Sequence, residues 1–391
     1  MKNRNRIKRQ TRRYLGRRRG AAAVFAVFLT SVLVAMLAFS VDIGYLAASK
    51  SEIQRTADAA ALSGCWQVYD GKVAGMGESD LNTAIDNSAS SAALMNFVSN
   101  RAPALESSGL NKDITTGFLP SLSSVATLTS DANQPYQAVS VSVRKTSGLN
   151  GQIPYYFARI FGQQGIDISA NATAAMARQI QGFNTPAAGS SNTLNILPFA
   201  LDEGTWQGML NGGGTDQYRY SGSTGQVSLA GDGIREVNLY PQGTGSPGNR
   251  GTVDIGGSNN STADLARQIV YGISSGDLVA LGKPLSLGSD GTMTLNGDTG
   301  ISAGVKDELA SIIGQTRIIP IFSTVTGNGN NANYRIVRWA GVRILYVKLT
   351  GSMSSKQLIV QPAPILARGA IAGDTSRVWS DGIFSPVVLV H

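Results

Sequence analysis

Cysteine, histidine and charge are scarce in this chain of 391 residues, and each shortage removes a class of function. Cys65 is the single cysteine, so no internal disulfide can form and the fold must rest on its apolar core. The single histidine is His391, which excludes a histidine–carboxylate metal cluster and a histidine-based catalytic triad. Charged residues make up 15% of the chain against 42% apolar ones, a balance that can fill a sizeable core. No acid stands among the first 20 residues, and no charge of either sign from Ala21 to Val41.

Those two gaps frame what is present. Ten basic side chains fill the first 20 residues: Lys2, Arg4, Arg6, Lys8, Arg9, Arg12, Arg13, Arg17, Arg18 and Arg19. The uncharged run after Gly20 is long enough, at about 1.5 Å per helical residue, to cross a bilayer core of roughly 30 Å. A basic flank stays on the cytoplasmic side. The sequence therefore predicts a basic cytoplasmic tail over 1–20, a transmembrane helix over 21–42 and a large extracytoplasmic region. Without those ten of its 33 basic residues the chain is close to neutral against 25 acids, so charge gives no footprint for nucleic acid. The tail reads instead as a topology signal that also touches anionic lipid. A cleaved secretory signal is the competing reading, with small residues at Ala38-Phe39-Ser40 and a faint twin-arginine pattern at Thr11–Leu15. The helical pattern does not stop at Ser40, which favours a retained anchor.

Asp42, Gly44 and Tyr45 leave the bilayer, with Tyr45 placed as an interfacial aromatic. Lys50–Gly64 then reads as one more helix. Leu46, Ser49, Ile53, Ala57, Ala60 and Gly64 recur at three- and four-residue steps, while Lys50, Glu52, Arg55 and Asp58 lie off that stripe. The small residues Ala57, Ala60, Ala61 and Gly64 would let another element approach closely. With Ile53 they form a candidate helix-packing interface, whose other side is either the protein's own domain or a partner subunit.

Further on, Leu81–Val98 has a broken helical pattern. Ser121–Thr129 and Gln137–Arg144 alternate like strands, Pro154–Phe161 fits helix or strand, and Ile166–Met176 leads back into a strand. These give a membrane-proximal α+β domain over 43–180. Residues 181–193, small and polar with Pro186, read as a linker. From Leu194 glycines punctuate short apolar runs. Strands are expected at Ile196–Ala200, Gln226–Leu229, Glu236–Tyr240, Arg317–Thr324, Tyr334–Leu349, Gln357–Val360 and Val387–Val390. Helices are expected at Thr262–Tyr271 and Val305–Ile313. The expected fold is thus a single N-terminal transmembrane helix continuing into an extracytoplasmic helix. An α+β, β-rich region in two parts follows, the second a Gly-rich domain over 194–391.

Catalytic and ligand-binding signatures are weak. Asp167-Ile168-Ser169-Ala170-Asn171 approaches a D-x-S-x-S metal loop but ends in Asn, and reads as strand. Ser289-Asp290-Gly291 and Asn296-Gly297-Asp298 look like fragments of calcium loops without the closing bidentate acid, and read as turns. No G-x-x-x-x-G-K-[ST] phosphate loop occurs. Asp202, Glu203 and Asp216 have no spacing that sets them apart from solvated loop acids, and Trp206, Tyr218, Tyr220 and Tyr240 read as core aromatics. No metal, cofactor or small-molecule substrate is expected.

Three elements of the N-terminal stretch stand in a recognisable order. They are Arg18-Arg19-Gly20-Ala21-Ala22-Ala23-Val24-Phe25, Val41-Asp42-Ile43-Gly44, and Gln54-Arg55-Thr56-Ala57-Asp58-Ala59-Ala60-Ala61-Leu62-Ser63-Gly64. In this the chain resembles TadG-like proteins of the Flp, or tight-adherence, pilus apparatus of bacteria. A looser similarity continues through Ala138–Ala177, including Ile153–Gly162, and a weak one at Pro247–Ile255. Minor pilins of that system carry Glu five residues after a cleaved Gly, whereas Phe25 stands at that spacing from Gly20. The departure predicts no prepilin-peptidase cleavage after Gly20. The resemblance implies a non-enzymatic scaffold or tether in the bacterial inner membrane, with the lipid bilayer and pilus-assembly membrane proteins or minor pilins as partners. The alternative is a membrane-anchored adhesin or glycan-binding envelope protein.

Overall fold

The computed structural model describes residues 7–109, 112–240, 250–256, 261–299, 303–327 and 329–390. Lys2, Arg4, Arg6, His391 and most of the glycine run at 243–251 lie outside the described residues, as does the first part of the weak similarity at Pro247–Ile255. By packing, the described residues fall into two compact units. Those of Met1–Ala59, Ser90–Asp113 and Ser142–Asn171 form one, and those of Ala60–Ala89, Ile114–Val141 and Ala172–His391 the other.

One helix, α1, runs Ile7–Val73, and a second, α2, runs Glu78–Leu94. The break between them is marked by Gly75 at φ 68°, a left-handed turn that a glycine adopts without strain. Below that turn α1 and α2 lie side by side. The Ser63 and Ser88 hydroxyls lie 2.8 Å apart, and each is within hydrogen-bond reach of the other's carbonyl oxygen. Gly64 makes the approach possible, since a Cβ there would lie 3.2 Å from Val139 Cγ1 and 3.3 Å from Ala89 Cβ.

Strand β1 (Ile114–Leu119) pairs antiparallel with β2 (Tyr136–Lys145), from Ile114 opposite Val141 to Leu119 opposite Tyr136. β3 (Ile168–Ala177) lies on the other side of β2, and Val388–Leu389 closes the edge. The alternating expectation for Ser121–Thr129 is not met by a strand there. Only Thr129 bridges, to Phe118. The hydroxyls of Ser121 and Ser123 take the backbone N–H groups of Ser123 and Val125, and such local bonds compete with a ladder. Residues Ile180–Phe183, the last three of which open the segment read as a linker, form a strand between Leu285–Ser286 and Ala370–Ala372.

The second half is built on an eight-stranded sheet. Its main members are β4 (Phe199–Asp202), β5 (Arg250–Val253), β6 (Met293–Asp298), β7 (Thr316–Thr326), β8 (Ala332–Lys348) and β9 (Gln357–Pro362). Pairing runs β8–β6–β5–β4–β7, and β7 pairs back to β8, so these strands close into a ring. Every pairing in the ring is antiparallel except β4 with β7. Within the ring, closure pairs each strand on both sides, and outside it the sheet continues through β9 to the two-residue strand Val237–Asn238.

One core cluster contains Ala200, Val253, Leu295, Ile318, Phe322 and Tyr334. A second contains Phe199, Leu201, Ile319 and Ile321, with Trp206 of α3 (Glu203–Leu210), Ile269 of α4 (Thr262–Tyr271) and Leu309. Neighbouring residues of β4 and of β7 thus divide between the two clusters, the two-residue period of a strand buried on both faces. α5 (Ser275–Leu281) and α6 (Lys306–Ser311) complete the helices. The Asn296-Gly297-Asp298 triplet, read as a turn, is the end of β6. A Cβ on Gly297 would overlap the Thr252 carbonyl oxygen, so its glycine serves close strand approach.

Candidate membrane-anchoring site

From Ala21 to Val41 no side chain of α1 is buried, and only Ala38 is partly covered. Phe25 is 66% exposed. A helix apolar on every side and packed on nothing is stable in hydrocarbon, not in water. Two of its three hydroxyl groups are bonded in a way that fits that setting. Thr30 donates to the Ala26 carbonyl at 2.8 Å and Ser31 to that of Val27 at 2.9 Å. The helix is long and apolar enough to cross a membrane.

Where the apolar run ends, α1 is fastened to the rest of its unit along one face. Asp42, only 6% exposed, accepts four backbone hydrogen bonds. Tyr156 N–H donates to Oδ1 at 2.8 Å, Ala158 N–H to Oδ2 at 2.8 Å, and Phe157 N–H lies between, at 3.2 and 3.1 Å. Bonds to an ionised carboxylate are stronger than neutral ones. One turn on, the Tyr45 ring meets Tyr156 edge to face at 5.0 Å. Ser49 shares a 2.8 Å hydroxyl bond with Ser99, and Glu52 accepts the Ser99 N–H at 2.9 Å. Positions 42, 45, 49 and 52 follow the three- and four-residue steps of one helix face. Beside them the buried Lys145 donates to the Val98 carbonyl at 3.1 Å. Burial, reinforced by Arg101, pushes its ammonium below the ordinary lysine range against the pull of Glu52.

The residues singled out from sequence are placed as follows. The backbone of Arg17, Arg18 and Arg19 lies in α1, and their side chains are outside the described residues. Gly20 and Gly44 are exposed, and a Cβ on either would meet nothing within 4 Å, so packing does not require glycine there. Asp42 and Tyr45 both reach Tyr156. Ile53, Ala57, Ala60, Ala61 and Gly64 are all buried. The element missed by sequence reasoning is the turn at 155–163. The nearest signal was its aromatic run, and the Asp42 contact spans 114 residues.

Residues 20–95 match the family model Tad, described as putative Flp pilus-assembly TadE/G-like. This segment is thus similar to TadE/G-like proteins of Flp pilus assembly. No curated protein and no solved structure matches the chain. The Tad module begins where the uncharged run begins and ends just past α2, so it takes in the anchor helix, Asp42, Tyr45 and the small-residue stripe. The turn that Asp42 holds lies beyond it.

Two other carboxylate groupings are occupied structurally. Asp202 caps α3, and its Oδ1 accepts the Thr205 N–H at 2.8 Å. Asp216 accepts the N–H groups of Asp232 and Gly233 at 2.9 and 3.0 Å. Among the described residues no group of three or more His, Cys, Asp or Glu is placed to hold a metal ion.

Proposed function

We propose that this chain is a non-enzymatic, membrane-anchored scaffold or tether of a bacterial Flp (Tad) pilus assembly or secretion machine. The observation that carries the reading is the Tad module coinciding with the exposed apolar helix and with the fastening of that helix at Asp42. The N-terminus is cytoplasmic on this reading, because the basic block precedes the span. The membrane is the inner membrane, and the region beyond Asp42 is extracytoplasmic, organised as a membrane-proximal part over 43–180 and a Gly-rich part over 194–391. Arg17, Arg18 and Arg19 fix topology, and Asp42 and Tyr45 fix the exit from the bilayer. The buried stripe of Ile53, Ala57, Ala60, Ala61 and Gly64 supports the anchor from within, so pilus-assembly proteins or minor pilins are engaged through other surfaces. The work done is binding and positioning.

The test is affinity purification of the tagged full-length protein from its own cells in mild detergent, followed by mass spectrometry. Recovery of pilins, platform proteins or a secretion pore supports the scaffold. Their absence, from cells that make the pilus, overturns it and leaves the adhesin reading to be tested on polysaccharide and whole cells.

A further inference from the structure

Beside the anchor helix sits a small hairpin whose backbone fastens Asp42 and whose apolar side chains the function proposed above does not use. Ile153–Pro154 pairs with Gly165–Ile166, and the tip between them carries a single helical turn, Ala158–Phe161. That tip is strongly apolar and outward-facing, with Ile160 80% and Phe161 83% exposed. Phe157 is also exposed, and Arg159 stands among them, exposed and basic.

The tip stands beside the apolar run of α1, across an open space. The two wall an open apolar groove of about 1150 Å³, lined by Phe157, Ile160 and Phe161 on one side and by α1 from Ala26 to Asp42 on the other. Whatever medium bathes α1 at that depth therefore also bathes the tip. The backbone is prepared for such a medium. Asp42 takes the N–H groups of Tyr156, Phe157 and Ala158. Those of Tyr155, Ile160, Gly162 and Gln163 go to carbonyl oxygens of the tip and its stem, at 3.0–3.3 Å. A loop in water has no need of such satisfaction, whereas backbone entering hydrocarbon does.

We propose that the tip 155–163 is a second, monotopic membrane contact. Phe157, Ile160 and Phe161 enter the acyl region of the leaflet from which α1 emerges, and lipid chains fill the groove beside α1. Tyr155 and Tyr156 take the interfacial level that aromatic rings favour, and Arg159 reaches back to headgroup phosphates. A helix crossing alone can tilt and rotate. A helix with a side anchor fastened at Asp42 is held in one orientation, which suits a scaffold. The inference rests on α1 being a membrane anchor, and its test separates the two.

The full-length protein is reconstituted into vesicles of phosphatidylcholine and phosphatidylglycerol, carrying an environment-sensitive NBD label at one introduced cysteine. Phe161→Cys and Ile160→Cys probe the tip, Val34→Cys probes α1, and Ser169→Cys, at an exposed position of β3, reports water. The unsubstituted chain controls for labelling of Cys65. The expected result is blue-shifted emission at 160, 161 and 34, quenched by lipids with a nitroxide on the acyl chain and several-fold less sensitive to aqueous iodide than at 169. Water-like emission at 160 and 161 with lipid quenching at 34 overturns the tip insertion and leaves the anchor intact. Water-like emission at 34 as well overturns the anchor reading itself. A blue-shifted tip that lipid nitroxides do not quench, and that cross-links to a second copy, makes the occupant another chain and also overturns the proposal.

Discussion

Asp42 and Asp113 show how single carboxylates hold this protein together. Each is nearly buried, and each is matched by donors far from it in sequence. Asp113 accepts Arg144 Nε at 2.6 Å and the Glu106 N–H at 2.8 Å, while Arg144 Nη2 also reaches Glu106 at 2.7 Å. Arg144→Ala leaves a buried carboxylate oxygen without its cation, at a cost of about 1–3 kcal/mol, read as a lower denaturation midpoint in detergent. Asp42→Ala removes the acceptor for three N–H groups, so amide exchange at Tyr156–Ala158 rises several-fold while exchange in β8 is unchanged. Cys65 is fully buried, and desolvation pushes its thiol up to about 12. The thiolate is the reactive form. Iodoacetamide at neutral pH therefore leaves Cys65 unmodified in the folded protein and alkylates it in denaturant, checked by mass. Rapid labelling of the folded chain would contradict this burial.

At the scale of elements, α3, α4 and α5 start on the side-chain caps Asp202, Ser261 and Ser274, whereas α6 has none. Ser274 and Asp277 form a capping box on α5, and Arg267 of α4 bridges Asp264 and Asp277. Burial pushes the Asp277 carboxyl up, but hydrogen bonds from Arg267 and Ser274 outweigh it and hold the carboxyl below its ordinary value. A carboxyl lowered in the folded state contributes stability that is present above the unfolded value and lost as pH falls through the folded one. Asp277→Asn thus lowers stability at neutral pH by about 1 kcal/mol, and its difference from wild type shrinks on acidification below the ordinary carboxylate range. Melting curves across pH check both points. Glycines set the other limit on these elements. A Cβ on Gly251 would overlap the Tyr334 hydroxyl and the Asp298 carbonyl oxygen, which is why β5 can be drawn into the ring. Element positions with strong local patterning were legible beforehand. Thr262–Tyr271 is a helix at those bounds, and β7, β8 and β9 lie where apolar runs predicted them. α3 and α5 were missed because each is short, 8 and 7 residues, and so shows only about two turns of periodicity.

For the whole molecule the testable matter is its relation to the membrane. Protease added to spheroplasts should remove an epitope at the C-terminus and spare one at the N-terminus, and carbonate washing should leave the intact chain in the pellet. The opposite protection pattern would reverse the topology that the ten basic residues imply. N-terminal sequencing should find no chain starting at Ala21. The long apolar helix was readable in advance, because its residues are consecutive. Asp42 and Tyr45 stood out as the first polar and aromatic groups after the apolar run. The groups they contact did not, because nothing local marks Tyr156 as their partner.

The uncharged run, the basic block before it, the Tad match and the helix at Thr262–Tyr271 follow from residues next to one another, since solvation, charge and helix period act over a few positions. Tertiary structure alone closed β4 to β8 into a ring, buried Ala60, Ala61 and Gly64 within the chain and brought the tip at 155–163 to the anchor helix. Each of these depends on contacts between residues tens to hundreds of positions apart, chosen by which buried surfaces and hydrogen-bonding groups can be satisfied together.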